Sequence, residues 1–277
     1  MVVVTGSASR PAPAGIAGLL RRIDLATVVS AVIFVLFFGG WELAVRRGLM
    51  PSFVLPSPSA VVMRVVEDLT TASTLGDGLY TLTEILVGFA GALVLGVGLG
   101  AWIALSPLVD KVLSPYIVAL QTIPKVAVAP ILVIWFGFGI ESKIVIVSLI
   151  DFFPILINAV AGFRSTDPRQ ILLMKSLEAT DWQIFVKVRL PNATPYLMAG
   201  VYISMIFSVI GAVVGEFIGS ARGLGSLIVQ RQATMDVVGV FSVLVILTII
   251  GVGLNAAARF VGRRIAFWSE TENPSGL

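Results

Sequence analysis

The sequence predicts an all-α membrane protein with about six transmembrane helices and a cytoplasmic helix-turn-helix between two of them. Two observations lead to this fold class. First, 57% of the 277 residues are hydrophobic and 13% are charged, whereas an ordinary soluble domain carries about 25% charged residues. Second, apolar runs of about 20 residues, long enough to cross a bilayer core of about 30 Å, recur along the chain.

Six apolar runs are predicted to cross the membrane. They cover approximately residues 25–45, 80–105, 115–136, 144–163, 195–217 and 237–260. Pro124 and Pro130 interrupt the third run and Lys125 lies inside it. This run is therefore either one continuous span or two half-helices.

The distribution of basic residues predicts the orientation of the chain. Twelve of the 19 lysines and arginines lie on the side of the N-terminus, six lie on the opposite side and one lies within a span. Because cytoplasmic loops carry the excess of Lys and Arg, both termini are expected in the cytoplasm. We divide the chain into a flexible tail over residues 1–22, a transmembrane domain over residues 23–268 and a C-terminal tail over residues 269–277.

The composition excludes several classes of chemistry. The chain has no histidine and no cysteine, so it offers no imidazole or thiolate to a metal, no Ser-His or Cys-His pair and no disulfide. None of the five lysines follows a glycine, which excludes the phosphate loop of ATPases. We predict no metal site, no cofactor bound by this chain and, with a net charge of only +3, no nucleic-acid partner.

The loop after the first span is predicted to contain an amphipathic helix. Ser57 followed by Pro58 is typical of a helix start. Apolar residues then recur at helical spacing, at Val61, Val62, Val65, Val66 and Leu69. The helix either lies on the outer face of the membrane or packs against neighbouring spans.

A charged segment over residues 164–194 separates the fourth and fifth spans and contains its own helix signals. Asp167 before Pro168 predicts the start of a first short helix. Thr180 stands three residues before Gln183, which is the spacing of a capping box at the start of a second short helix.

The second short helix is expected to end at Pro191, and Thr194 with Pro195 is expected to begin the fifth span. Trp182 and Phe185 lie on one side of this helix. These apolar side chains are buried either in a groove of a partner protein or against the spans of the chain itself.

The end of this segment carries a family resemblance. It closes with Leu190 and Pro191, two residues after Val188. This resembles the cytoplasmic coupling loop of ABC importer permeases, whose pattern is Glu-Ala-Ala, three residues, Gly, nine residues, Ile, one residue, Leu-Pro. Glu178 stands at the Gly position, and residues 172–174 replace Glu-Ala-Ala with Leu-Leu-Met.

Four further stretches extend the resemblance over much of the chain. LPSPSAV, QTIPKVAVAPILVIWFGFGIESK, DFFPILINAVAGFRSTDP and GEFIGSARGLGSLI are similar to the permeases of the nitrate, taurine and alkanesulfonate importer branch. The resemblance implies the fold of a type I ABC importer permease. It implies a non-enzymatic, multi-pass subunit of the cell (inner or plasma) membrane that forms the translocation pathway for a small solute.

The resemblance also implies partners and contact residues. The partners are the lipid bilayer, a second permease copy in a homodimer, two ATPase subunits that bind ATP and Mg, and an extracytoplasmic binding protein. The solute would be nitrate, a sulfonate or taurine, or a vitamin precursor. The residues implied to couple to the ATPase are Leu173, Met174, Leu177, Glu178, Ala179, Thr180, Asp181, Trp182, Phe185, Val188, Leu190 and Pro191.

Two other function classes stay open on the residues alone. An ion-coupled secondary transporter needs carboxylates inside the spans and often has an inverted repeat, and no repeat is visible. An intramembrane enzyme needs paired catalytic groups within a span, and the sequence offers no carboxylate pair at helical spacing there.

Polar residues inside the apolar runs have either a pathway role or a packing role. They are Glu84, Gln121, Asp151, Asn158, Ser208, Glu216 and Asn255. The candidates for a solute pathway are Gln121, Asn158, Ser208 and Glu216. Gln121 and Asn158 are expected to be more buried than Glu216 and Asp151. Glu216 and Asp151 are expected near span ends, as solvated or ion-paired carboxylates.

Two glycine patterns predict close helix packing. Gly96 and Gly100 are separated by three residues, as are Gly211, Gly215 and Gly219 in turn. Such spacing lets helix backbones approach closely in a membrane, within one subunit or between two copies.

Overall fold

The computed structural model describes residues 25–51 and 53–268, which form helices and connecting turns without a strand. The predicted tails over residues 1–22 and 269–277 lie outside the described residues. The helices are α1 (Leu25–Arg46), α2 (Pro58–Thr70), α3 (Ala72–Leu105), α4 (Pro107–Thr122), α5 (Lys125–Phe136), α6 (Ile140–Arg164), α7 (Pro168–Ser176), α8 (Asp181–Ile184), α9 (Leu190–Gly219), α10 (Leu224–Ala233) and α11 (Val237–Ile265), and a π-helix, Phe185–Arg189, joins α8 to α9.

The described part of the chain divides into two compact units, the first ending at Ala60 and the second beginning at Val61. In the first unit, the Glu42 carboxylate accepts hydrogen bonds from the Ser59 hydroxyl at 2.7 Å and from the Ser59 backbone N–H at 3.0 Å. Arg46 donates to the same carboxylate at 2.6 Å. Ser57 caps the start of α2, as predicted, by accepting a bond from Ala60 N at 3.4 Å.

Two helices at the centre of the second unit, α3 and α6, run parallel to each other. Gly88 contacts Val147 and Gly100 contacts Ala159, so residue numbers rise together along the contact. The C-terminal ends of α3 and α6 therefore lie at the same end of the unit. We call this the loop end, because residues 164–190 follow α6 there.

The bent pair α4 and α5 crosses the unit once. Because α3 and α6 are parallel, these two helices must carry the chain from the loop end back to the start of α6. They meet at an angle of 95°. Five other helical stretches in the described residues are long and apolar enough to span a membrane, which gives six spans with the third made of two half-helices.

Helix α9 begins earlier than predicted. Residues Asp181–Gly219 form one helical run of 39 residues, so the expectation that Pro191 ends a helix was wrong. A π-helix bonds residue i to i+5 and is wider than an α-helix, so it leaves room for a proline ring that would otherwise clash with the preceding turn. Thr194 does not cap the span either, since its hydroxyl donates to Leu190 O at 2.8 Å inside the helix.

The other end of the second unit, which we call the far end, carries α2 and α10. Val61 and Val65 of α2 lie in one apolar cluster with Leu224 and Ile228 of α10 and Val243 of α11. The helix α2 therefore packs against neighbouring helices through this face. Its other large apolar side chains, Val62, Met63, Val66 and Leu69, are exposed.

Candidate functional site

The loop end carries two short helices joined by a tight turn. Helix α7 ends in a Schellman motif, in which Ala179 N donates to Met174 O and Glu178 N donates to Lys175 O, each at 3.0 Å. Glu178 consequently has a φ of 58°. This left-handed conformation favours glycine, which is the residue that the family pattern has at this position.

Side-chain caps define the start of both short helices, as the sequence predicts. Asp167 accepts a hydrogen bond from Arg169 N at 2.8 Å at the start of α7. At the start of α8, the Thr180 hydroxyl accepts a bond from Gln183 N at 3.3 Å, and the Gln183 side chain accepts one from Thr180 N at 2.9 Å. These reciprocal bonds form a complete capping box.

Three aromatic rings connect the end of α6 to the surface of this segment. The ring centroids of Phe163 and Phe185 are 5.5 Å apart, and those of Phe185 and Trp182 are 5.8 Å apart, both in stacked arrangements. Phe163 is buried, whereas Trp182 is exposed. The stack joins the surface of α8 to the core of the spans.

An exposed apolar surface lies at the loop end. Leu173, Leu177 and Trp182 are exposed by 60%, 69% and 71%, and we call these three residues the loop patch. Leu190 differs from them, because it packs against the cluster of Ala159, Phe163 and Ala193. Of the other predicted coupling residues, Glu178, Thr180 and Asp181 are exposed, and those that are half-buried are Met174, Ala179, Phe185, Val188 and Pro191.

A cavity of about 400 Å³ opens beside the bend between α4 and α5. Gln121, Lys125 and Asn158 place polar groups in a wall that is otherwise apolar. The Lys125 ammonium lies 4.8 Å from the centroid of the Phe153 ring and donates to Gln121 O at 3.3 Å. None of the ion pairs in the described part of the chain involves Lys125.

The structure brings together two of the four predicted pathway residues. Gln121 and Asn158 share this cavity and are half-buried, because they line an opening. The expectation that both amides are more buried than Asp151 and Glu216 was wrong, because these carboxylates are only 0% and 1% exposed. The Asn158 side chain also donates to Pro154 O at 2.8 Å, which holds it along α6.

Ser208 lies away from the cavity, in the interface between α6 and α9. It is fully buried, and its hydroxyl donates to the Asp151 carboxylate. The neighbouring Ser204 hydroxyl donates to Asp151 O at 3.2 Å. The expectation that Asp151 lies near a span end was wrong, since it lies midway along α6, where α9 covers it.

Glu216 is also buried, at the far end. Its carboxylate accepts hydrogen bonds from the Thr81 hydroxyl at 2.6 Å, from Gly225 N and from Ser226 N at 3.3 Å. The two N–H groups belong to the first turn of α10, where the helix dipole favours a negative charge. The expectation that Glu216 is solvated or ion-paired was therefore wrong, because the start of α10 covers it.

The predicted packing glycines make contacts within the subunit. A Cβ added at Gly100 would lie 2.6 Å from Ala159 Cβ, too close for any side chain. Gly219 differs, because it ends α9 with a φ of 154° beside the Phe138 ring. The other three glycines approach α6 closely, Gly96 at Ile155, Gly211 at Val147 and Gly215 at Lys143.

Comparison with known proteins identifies the family. The family model described as "Binding-protein-dependent transport system inner membrane component" matches residues 92–267. The chain belongs to this family of ABC importer permeases. The matched range includes the bent third span and the whole loop end.

Two relatives cover nearly the full permease. The chain is 35% identical over 241 residues to the formylaminopyrimidine transport permease protein ThiX of Halalkalibacterium halodurans. This match covers 87% of the chain and 96% of the relative. It is 29% identical over 255 residues to the taurine transport system permease protein TauC of Escherichia coli, covering 90% of this chain and 91% of the relative.

A solved structure shares the fold of the permease. An inward-facing form of the MetNI methionine ABC transporter aligns with a TM-score of 0.59 and 22% identity, over 68% of this chain and 93% of that chain. At this identity the match supports the fold alone. The fold predicted from the sequence, that of a type I importer permease, is confirmed.

The far end of the permease contains a buried charged network that the sequence did not predict. Arg231 donates to both oxygens of Asp68 at 2.6 Å and to Gly239 O at 2.8 Å. Ser242 donates to the same carboxylate at 2.6 Å. Asp68 and Arg231 are 163 positions apart, so no local pattern indicates that they meet.

Proposed function

We propose that the permease forms the translocation pathway for a small solute of the nitrate, sulfonate or taurine, or vitamin-precursor type. It would act with two ATPase subunits, a second copy of the chain and an extracytoplasmic binding protein. The ATPase subunits bind ATP and Mg, and the permease itself binds no nucleotide. Both termini and residues 164–190 face the cytoplasm, and the far end faces the outside.

The loop patch is the observation that supports this proposal most directly. Large apolar side chains exposed to water are stabilised when a partner covers them. The Schellman motif and the capping box hold the patch in one conformation, which favours docking into a groove. The aromatic stack from Trp182 to Phe163 then provides a packed route by which movement of the ATPase displaces α6.

Purification of the tagged permease with its ATPase tests the docking role. A double variant with Leu177→Asp and Trp182→Ala is expected to lose the ATPase while still inserting in the membrane. Met235→Asp is the matched control, because Met235 is an apolar residue that is 81% exposed at the far end. Retention of the ATPase by the double variant would contradict the proposal. Leu190→Asp is less informative, since Leu190 packs in the core.

The cavity at the bend supports a pathway for anionic or strongly polar solutes. Lys125 places a cation at membrane depth beside two amides, and no carboxylate lines the cavity. Charged groups at such depth are costly and mark solute pathways in many transporters. The amides of Gln121 and Asn158 can orient the oxygen atoms of a solute by hydrogen bonding.

Uptake by proteoliposomes tests this second part of the proposal. Vesicles with the permease, its ATPase and its binding protein are supplied with taurine, an alkanesulfonate, nitrate or formylaminopyrimidine. We expect ATP-dependent uptake of one of them, insensitive to ionophores, and a loss of at least tenfold in Lys125→Gln. Asn255→Ala, in a separate groove between α9 and α11, is the control. Unchanged uptake in Lys125→Gln would remove the cavity from the pathway, and ATP-independent uptake would favour an ion-coupled transporter.

A further inference from the structure

Three ionisable side chains are enclosed together near the far end of the permease. Glu84 of α3 and Lys143 of α6 are 0% exposed, and Glu216 of α9 is 1% exposed. The Lys143 ammonium is directed to backbone carbonyls, donating to Phe138 O at 2.8 Å and to Gly219 O at 3.0 Å. It forms no salt bridge in the described part of the chain.

The hydrogen bonds that Glu216 receives favour its ionised form and oppose the effect of burial. Three donors, the Thr81 hydroxyl and the N–H groups of Gly225 and Ser226, converge on its two oxygens. A carboxylate that accepts several such bonds is stabilised as the anion. The positive end of α10 adds to this effect.

The surroundings of Glu84 favour the opposite state. Neither of its side-chain oxygens receives a hydrogen bond from a donor group, although Glu84 lies one turn along α3 from Thr81, whose hydroxyl donates to Glu216 at 2.6 Å. Two ionised carboxylates are both acceptors and repel each other. A hydrogen bond between them needs a proton, and Glu216 already receives three donors.

We propose that the far end of the permease contains a proton-binding site, in which a protonated Glu84 donates a hydrogen bond to the ionised Glu216. Glu216 in turn holds the first turn of α10. One bound proton thus connects α3, α9 and α10. With Lys143 charged, the enclosed trio is neutral overall, which lowers the cost of burying it in a membrane span.

The remaining ionisable groups around the trio come from three elements. Tyr80 and Asp77 lie on α3, Glu141 lies on the first turn of α6, and Arg222 lies in the turn before α10. Arg222 stacks over the Tyr80 ring, 5.3 Å from its centroid. Asp77 accepts a bond from Gly223 N at 3.0 Å. Tyr80, Arg222 and Asp77 therefore have contact partners other than Glu84.

Infrared spectroscopy of the permease in lipid nanodiscs at neutral pH tests the protonation state. The wild type is expected to show a carboxylic-acid C=O band that shifts in D₂O and is absent from Glu84→Gln. The exposed Glu67 provides a control, because Glu67→Gln should retain the band. A difference spectrum with only carboxylate bands would overturn the proposal. Should Glu84→Gln fail to assemble, Glu84→Asp must shift the band without removing it.

Thermal unfolding tests whether the proton holds the helices together. A glutamine amide can donate to Glu216 as the protonated acid does, so Glu84→Gln should melt close to the wild type. Glu84→Ala should melt lower by about 2–4 °C or more. Equal losses in both variants would contradict the donated bond. Stabilisation of the wild type by sodium over choline would assign the site to a metal cation and overturn the proposal.

Discussion

At the scale of single residues, the buried Asp68 carboxylate shows how specific partners stabilise a charge away from water. Burial disfavours the charged form of Asp68, but the hydrogen bonds from Arg231 and Ser242 outweigh burial and hold the pKa of this carboxyl below its usual value. Arg64 lies nearby, with Nε 3.5 Å from the same carboxylate, and also pairs with Asp236 at 3.0 Å. The network therefore ties α2 to α10 and α11.

Removal of the Asp68 carboxylate is expected to destabilise the far end strongly. Asp68→Ala leaves the Arg231 guanidinium buried without its partner, which costs about 3–5 kcal/mol. The measurement is denaturant unfolding of the purified permease in detergent. Glu67→Ala, at the exposed neighbouring position, should change the free energy of unfolding by less than about 0.5 kcal/mol. Similar losses in both variants would contradict the role of the network.

The turn after α7 stores local strain at Glu178. Its φ of 58° costs an L-residue roughly 1–2 kcal/mol, and glycine avoids this cost. We expect Glu178→Gly to raise the free energy of unfolding by about 1 kcal/mol, while Glu178→Ala, which keeps a Cβ, gains little. Thermal unfolding of the three proteins checks this, and an equal gain in both variants would exclude backbone strain as the cause.

At the scale of helices, the contact between α3 and α6 depends on small residues at helical spacing. Gly88, Gly96 and Gly100 all bring α3 against α6 at separations that leave no room for a Cβ. In a membrane, association of helices depends on such close contacts, because lipid is as apolar as the helix surface. The parallel pair therefore forms the structural centre of the second unit.

Gly100→Ala is expected to disturb this pair. The added methyl group would lie 2.6 Å from Ala159 Cβ, and overpacking of this kind costs about 1–3 kcal/mol. Gly98→Ala is the matched control, because a Cβ there meets nothing within 4 Å, and alanine favours a helix by up to about 1 kcal/mol. Relative to the wild type, the free energy of unfolding should fall in Gly100→Ala and rise in Gly98→Ala. Equal changes in the two variants would contradict the packing role.

At the scale of the whole molecule, the helix directions decide which surfaces share a side of the membrane. The parallel course of α3 and α6 requires the bent pair to cross between them. The loop patch and the start of α10 therefore lie at opposite ends of the second unit. This arrangement permits contact with an ATPase at one end and with a binding protein at the other.

Single cysteines test this arrangement, since the chain has none of its own. Leu177→Cys at the loop end and Met235→Cys at the far end are both exposed positions. In intact spheroplasts, a membrane-impermeant maleimide should label Met235→Cys and should label Leu177→Cys only after lysis. Labelling of both cysteines before lysis would contradict the proposed orientation.

Features that depend on neighbouring residues could be predicted from the amino-acid sequence. The six apolar runs, the cap at Asp167 and the capping box at Thr180 follow from spacing within a few positions, and the structure contains them all. The prediction for Pro191 was wrong because it also relied on neighbouring residues alone. Its local signal indicates a helix end, but a π-helix, which has no clear signature in the sequence, accommodates the ring.

Which polar residues meet depends on the packing of helices that are distant in the sequence. The sequence places Glu84 and Glu216 on different spans, and Asp68 and Arg231 at positions 163 residues apart. Helix direction and the start of α10 bring each pair together and remove it from solvent. The same packing separates Ser208 from the cavity of Gln121. The burial of a polar side chain and the identity of its hydrogen-bond partner depend on contacts between distant segments. Hydrophobic spacing along one segment carries no information about such contacts.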